Sequence, residues 1–181
     1  MKKINHGLIQ IYTGDGKGKT TAALGQTLRA LGWGFKVCWI QFIKGNSNIG
    51  EIKFSKKLPA NLKKKLTFKQ FYKTKNYAIG KPKNVHKVTS QKAWEFAKNI
   101  IKASKYNLII LDELNNAIDY NLVDIEDVIA VFKGKPKNLE VVVTGRDAHP
   151  KLIKIADLVT DMRKKKHPFD KGLIARKGIE Y

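Results

Sequence analysis

One short stretch, Thr13-Gly14-Asp15-Gly16-Lys17-Gly18-Lys19-Thr20-Thr21, constrains this chain more than any other. It follows an apolar, β-favouring run at 8–12. It precedes a segment, 19–31, in which Ala22, Ala23, Leu24, Leu28 and Leu31 recur at helical spacing until Gly32 and Gly34 stop it. A strand that enters a glycine-rich turn and leaves as a helix is the context of a phosphate-binding loop. Glycines let backbone N–H groups close round phosphate oxygens, and the helix N-terminus adds a favourable dipole. Lys19 supplies a point charge and the Thr20 hydroxyl can hold a divalent cation. The usual pattern has glycine five positions before Gly18; here Thr13 stands there and the glycine comes one residue later, at Gly14. A cradle survives this shift, but the ordinary placement of the terminal phosphate does not follow from it.

The alternation of strand and helix continues. The run 37–43 reads as a second strand, and 88–103, apolar at helical spacing through Ala93, Trp94, Phe96, Ala97, Ile100 and Ile101, as a helix. Further strands are expected at 108–111, 139–143 and 158–162, and further helices at 125–132 and 150–156. Continuous apolar strands between helices predict an α/β fold of the P-loop, RecA-like kind: three layers, with a mostly parallel central sheet covered on both faces. The region 46–87 is polar and lysine-rich, with only 66–72 resembling a strand. It is expected to be a variable insertion in a single nucleotide-binding domain spanning 1–181.

Open α/β sheets bind ligands beyond the C-terminal ends of their strands. Asp112 and Glu113 stand there after the strand 108–111. A divalent cation would offset the cost of holding two carboxylates in a cleft; a solvated turn or a helix cap is the other reading. Arg146 follows the strand 139–143 and would reach the same crevice, where it could neutralise phosphate. Arg29, late on the first helix, suits nucleotide contact and surface solvation equally.

The formal net charge of +21 raises nucleic acid or another polyanion as a partner. Yet of 36 basic residues only Arg29, Arg146, Arg163 and Arg176 are arginine. Planar forks for phosphates and bases are built from arginine rather than from scattered lysine, so the excess reads as solvated surface and nucleic acid is not the expected partner. Cys38, the single cysteine, lies in an apolar run and fits a buried thiol in a reducing compartment. The opening Met1-Lys2-Lys3-Ile4 lacks the apolar core of a signal peptide, and no stretch is long and apolar enough to cross a membrane, so a cytoplasmic protein is expected.

Taken in order, these motifs resemble the P-loop family of ATP:corrinoid adenosyltransferases. The resemblance is carried by Gly14-Asp15-Gly16-Lys17-Gly18-Lys19-Thr20-Thr21-Ala22-Ala23, by Gln41-Phe42-Ile43-Lys44-Gly45, and by Leu111-Asp112-Glu113-Leu114 with Asp119-Tyr120. Thr144-Gly145-Arg146, Ala156-Asp157, Lys166-His167 and Lys177-Gly178-Ile179-Glu180-Tyr181 complete it. The shifted Gly14 is that family's habit and is associated there with an unusual orientation of bound ATP.

The resemblance implies that Co(I) of a corrinoid attacks C5′ of ATP and expels triphosphate. ATP and the corrinoid are then substrates, Mg²⁺ or Mn²⁺ is the metal, a flavoprotein is the electron donor, and a homodimer is left open. By motif position it implies that Thr13 to Thr21 bind the nucleotide and that Lys19, Thr20, Glu113 and Arg146 serve the transfer. Thr20 and Glu113 would hold the metal with Asp112 behind them, and Arg29 would lie near phosphates or corrinoid. Family members commonly carry a glycine-phenylalanine-x-tryptophan element whose aromatics displace the corrinoid's lower ligand. This chain instead reads Lys73-Thr74-Lys75-Asn76-Tyr77-Ala78-Ile79, which leaves Tyr77 as the aromatic for that side, with core packing as its other reading. Two other classes stay in view. A P-loop ATPase or kinase would yield ADP, and the affinity of a basic nucleic-acid-binding module would fall steeply with salt.

Overall fold

The computed structural model describes residues 4–43, 48–72 and 84–181. Its strands are β1 (Ile9–Thr13), β2 (Val37–Gln41), β3 (Leu66–Gln70), β4 (Leu108–Asp112), β5 (Glu140–Thr144) and β6 (Leu158–Asp161). Its helices are α1 (Lys19–Gly32), α2 (Gly50–Lys57), α3 (Ala60–Lys63), α4 (Asn84–Ala103), α5 (Leu114–Asp119), α6 (Ile125–Lys133) and α7 (Pro150–Ile155), followed by a 3-10 turn at Pro168–Lys171. The strands form one sheet in the order β3-β2-β4-β5-β1-β6, and each of these pairings is parallel. The α/β reading with a parallel sheet is borne out.

The interior of the sheet is taken by strands whose side chains can be buried on both faces. β2, β4 and β5 are buried at every position, as strands with helices on both faces must be. On one face Trp39, Ile110 and Val142 pack beneath Ala23, Ala30 and Leu31 of α1. On the other, Ile40, Ile109, Leu111, Val141 and Val143 pack against α4, α5, α6 and α7 through Trp94, Leu114, Phe132 and Leu152. The link from β1 to β2 passes over β5 and β4, so α1 crosses the middle of the sheet and delivers its N-terminus to the C-terminal edge.

The structure departs from the sequence expectations in four places. Helices α2 and α3 occupy the polar stretch; Ile52 is the buried residue of α2 and α3 buries none, so neither has a visible apolar period. α4 begins at Asn84 rather than 88 because its first turn docks through His86, a buried imidazole whose ring lies 4.6 Å from that of Tyr72. α5, six residues long, follows Glu113 directly. Finally β6 is exposed at all four positions, so the sheet is not covered on both faces at this edge.

Phe132 is 1% exposed and meets Trp94 edge to face, with ring centroids 6.2 Å apart. Phe132→Ala is expected to cost about 3–5 kcal/mol in a denaturant unfolding experiment. A loss below about 1 kcal/mol would contradict the packing described.

Candidate functional site: a phosphate loop beside an apolar chamber

The loop from Thr13 to Lys19 joins β1 to α1 and is held from behind by the exit of β6. Gly16 N–H donates to the Met162 carbonyl at 2.7 Å, and Lys164 N–H donates to Asp15 Oδ1 at 2.8 Å. That backbone bond, with the nearby Lys164 and Arg146 charges, holds the Asp15 carboxyl below the usual carboxylate range. The strap lies so close that side chains are excluded. A Cβ on Gly14 would sit 2.5 Å from both Asp161 Oδ1 and the Met162 carbonyl oxygen, and one on Gly16 would sit 2.6 Å from that same oxygen. Gly14 also has φ 100° and Gly18 φ 126°, which side-chain-bearing residues rarely adopt. Lys19 Nζ donates to the carbonyls of Gly14 at 2.6 Å and Gly16 at 2.7 Å, which fixes its charge within the loop.

Beneath the loop lies Asp112, with no exposed surface. A buried carboxylate needs donors, and three converge on it. Thr144 Oγ1 donates to Oδ1 at 2.6 Å, Thr20 Oγ1 to Oδ1 at 3.0 Å, and Gln41 Nε2 to Oδ2 at 2.9 Å. Thr144 Oγ1 also accepts from the Glu113 backbone N–H at 3.0 Å, which pins Glu113 at a left-handed φ of 66°. Glu113 is half-buried and lines the same cleft as Lys19 and Thr20.

Arg146 reaches this cleft from the β5–α7 turn. Its backbone N–H donates to Asn116 Oδ1 at 2.9 Å, and Asn115 Nδ2 donates to the Gly145 carbonyl at 3.2 Å, so α5 sets the turn. The cleft widens into a chamber of about 1100 Å³. Its floor is the stacked pair Trp39 and Phe68, ring centroids 5.8 Å apart and 7° from parallel. Leu24, Leu28 and Leu31 of α1 form one wall, Phe54 of α2 another, and Ile174, Ile179 and Tyr181 the roof. The roof segment is clasped by Arg176, whose backbone N–H, Nε and Nη2 all donate to the Glu180 carboxylate. Those bonds hold the Glu180 carboxyl down to about 2.

The structure thus gathers Asp15, Gly16, Lys17, Gly18, Lys19, Thr20, Thr21, Glu113 and Arg146 on one chamber. Thr13 and Gly14 lie at its back: Thr13 Oγ1 accepts from Ala148 N–H, and Gly14 O receives Lys19. Arg29 does not line the chamber; it is exposed on α1, where Nη1 donates to Gln26 Oε1. Tyr77 lies outside the described residues. Sequence reasoning missed Gln41 and Thr144 as ligands of Asp112, Met162 as the strap and Asn115 and Asn116 as supports of the Arg146 turn. The signals available were Gln41 and Thr144 at apolar strand ends, where a polar residue needs a buried partner.

No cluster of three or more His, Cys, Asp or Glu side chains that could hold a metal occurs among the described residues. Any cation here would therefore be held jointly by ligand oxygens and by one or two protein oxygens, which is the habit of Mg²⁺ at phosphate sites. The Thr20 hydroxyl and the Glu113 carboxylate fit that donor set. Around the loop, Lys17, Lys164, Lys165 and Lys166 add a positive field that attracts polyanions.

Comparison with known proteins gives a consistent picture. A family model described as ATP:corrinoid adenosyltransferase BtuR/CobO/CobP matches residues 5–181. The corrinoid adenosyltransferase of Pseudomonas aeruginosa is 35% identical over 97% of this chain and 84% of that protein. The Escherichia coli K12 corrinoid adenosyltransferase is 34% identical, and the Salmonella typhimurium corrinoid adenosyltransferase CobA 33%, each over 97% of this chain and 86% of the relative. Among solved structures, the flagellar accessory protein FlaH of Methanocaldococcus jannaschii superposes with a TM-score of 0.60 over 87% of this chain and 72% of that one, at 15% identity. That likeness concerns the fold alone.

Two outcomes test this geometry. Gly16→Ala, whose new methyl would strike the Met162 carbonyl, is expected to lower ATP affinity at least about tenfold in calorimetry and to destabilise the fold by about 1–3 kcal/mol; wild-type affinity would disprove the strap. Glu180 has a folded value near 2, below the 4.5 of the free side chain, so its clasp is at full strength above about 4.5 and is lost as pH falls toward 2. Amide-exchange protection factors at Gly178 and Glu180 should hold from pH 7 to 5, decline steadily below about 4.5 and be lost only as pH approaches about 2.

Proposed function

Because this chain belongs to the ATP:corrinoid adenosyltransferase family, it transfers the 5′-deoxyadenosyl group of ATP to Co(I) of a corrinoid with release of triphosphate, and we propose how its residues divide that work. The observation that carries the proposal is the chamber. It opens from the phosphate loop onto an aromatic floor and leucine walls, and its volume of about 1100 Å³ is at the upper end for a small-molecule site. A loop that grips only the triphosphate leaves this space for the adenosine and one face of a large macrocycle.

In the reaction the cobalt electron pair forms the Co–C5′ bond as the C5′–O5′ bond breaks. Triphosphate departs with the bonding pair, and Co(I) becomes alkylcobalt(III). No protein nucleophile takes part, so the protein's share is orientation and charge stabilisation. The backbone from Thr13 to Thr21 cradles the triphosphate, and Lys19, fixed among the loop carbonyls, faces its growing charge. Arg146, on the same cleft, neutralises the departing oxygens. Thr20 and Glu113 would hold Mg²⁺ or Mn²⁺, which when bound would help spread the charge of the leaving group. Arg29, outside the chamber lining, has no part in this proposal.

Co(I) must be generated by a one-electron donor, and a flavoprotein in the cytoplasm is the donor in this reading. One observation supports that pairing: the net charge of +21 favours encounter with an acidic partner. No described helix is long and apolar enough to cross a membrane.

The reading is tested by mixing the protein with ATP, Mg²⁺ and chemically reduced corrinoid. Triphosphate and a light-sensitive alkylcobalt spectrum are expected in equal amounts; ADP with no alkylation would refute the proposal in favour of a phosphoryl-transfer enzyme. Lys19→Ala and Glu113→Ala should each lower turnover by about 10²–10³ with an unchanged circular dichroism spectrum. Retained turnover in either variant would remove the role given to that residue.

A further inference from the structure

The motif that begins at Gln41 carries part of the family resemblance, yet the transfer described above gives it no task. Gln41 is fully buried at the C-terminal end of β2, in register with Asp112 on one side and Gln70 on the other. Its Nε2 donates to Asp112 Oδ2 at 2.9 Å, and its Oε1 accepts from Gln70 Nε2 at 2.8 Å. We infer that Gln41 is a positioning residue: through Asp112 it sets the Thr20 hydroxyl, and it ties the nucleotide cradle to the strands that form the chamber floor. This rests on the proposal that Thr20 holds a divalent cation.

The direction of this chain of bonds is forced by chemistry. An ionised carboxylate can only accept, so Gln41 must turn its NH₂ toward Asp112 and its carbonyl toward Gln70. For the same reason Thr20 Oγ1 must give its hydrogen to Asp112. A hydroxyl that donates inward turns its lone pairs away from that carboxylate, and lone pairs are what a cation requires. Asp112 thus controls not only where Thr20 sits but which way its oxygen presents electrons. Gln41 holds the second oxygen of that carboxylate, so its loss weakens the hold on the group and, through it, on the hydroxyl.

The other end of the chain reaches the chamber. Trp39 lies two residues before Gln41 on β2, and Phe68 two before Gln70 on β3; these two rings are the floor. Displacement of either strand by a bound macrocycle would pass through Gln70 and Gln41 to Asp112 and Thr20.

The experiment measures ATP affinity by calorimetry, with and without Mn²⁺, in the wild type, Gln41→Met, Gln70→Met and the double variant. Gln41→Met is expected to weaken Mn²⁺·ATP binding about tenfold while metal-free ATP binding stays within about twofold. Gln70→Met should weaken Mn²⁺·ATP binding about threefold and add nothing further in the double variant, because its effect passes through Gln41. Equal weakening with and without metal overturns the inference, since a merely structural role would do that. Wild-type Mn²⁺·ATP binding in folded Gln41→Met overturns it as well. If Gln41→Met does not fold, the more exposed Gln70→Met decides, and unchanged metal dependence there overturns the inference. Wild-type protein whose ATP affinity is indifferent to Mn²⁺ overturns the metal reading of Thr20 and this inference together, which distinguishes the two failures.

Discussion

Taking an ionised carboxylate out of water costs several kcal/mol unless donors replace the lost hydration, so Asp112 dictates what can surround it. Among the donors to it, three come from three different elements: Gln41 from β2, Thr144 from β5 and Thr20 from α1. They meet only because β4 lies between β2 and β5 while α1 ends above them. The sheet order, which apolar packing alone would satisfy in several permutations, is therefore locked to the geometry of the site. Glu113 follows from the same arrangement, since its left-handed backbone is held by the Thr144 hydroxyl that also serves Asp112.

The phosphate loop is constrained from two sides. Its front must approach an anion, and its back is pressed by residues Asp161 and Met162. This accounts for glycine at 14 rather than 13 in physical terms. Thr13 is still a strand residue, in register with Asp161, so a side chain there is compatible with the sheet. The turn with positive φ and the close approach to Met162 both fall one residue later.

Much of this was legible from the chain. The loop, the buried strands and α1 were signalled by runs and periods that depend on local chemistry, and the carboxylates and Arg146 by their places at strand ends. What was hidden depended on contacts far apart in sequence. Leu28 has the spacing of a core residue but is exposed as a chamber wall, because α1 covers Trp39 through Ala23, Ala30 and Leu31 and leaves Leu28 on the open cleft. Arg29, its neighbour, lies outside the chamber lining, and helical period alone does not say which side of α1 meets the cleft. Asp112 and Glu113 are adjacent in sequence and opposite in circumstance, one buried among hydroxyl and amide donors and the other facing the chamber. Gln41 and Thr144 read as ordinary strand ends until their common partner is located.

The strap behind the loop has a bearing on how the protein is made. The turn that precedes α1 is translated early, but the carbonyl and amide that hold it, at Met162 and Lys164, are translated some 150 residues later. A chain emerging from the ribosome would carry the recognisable nucleotide motif long before that motif is rigid. Substrate can then act as a folding ligand only once the sixth strand has closed the edge of the sheet.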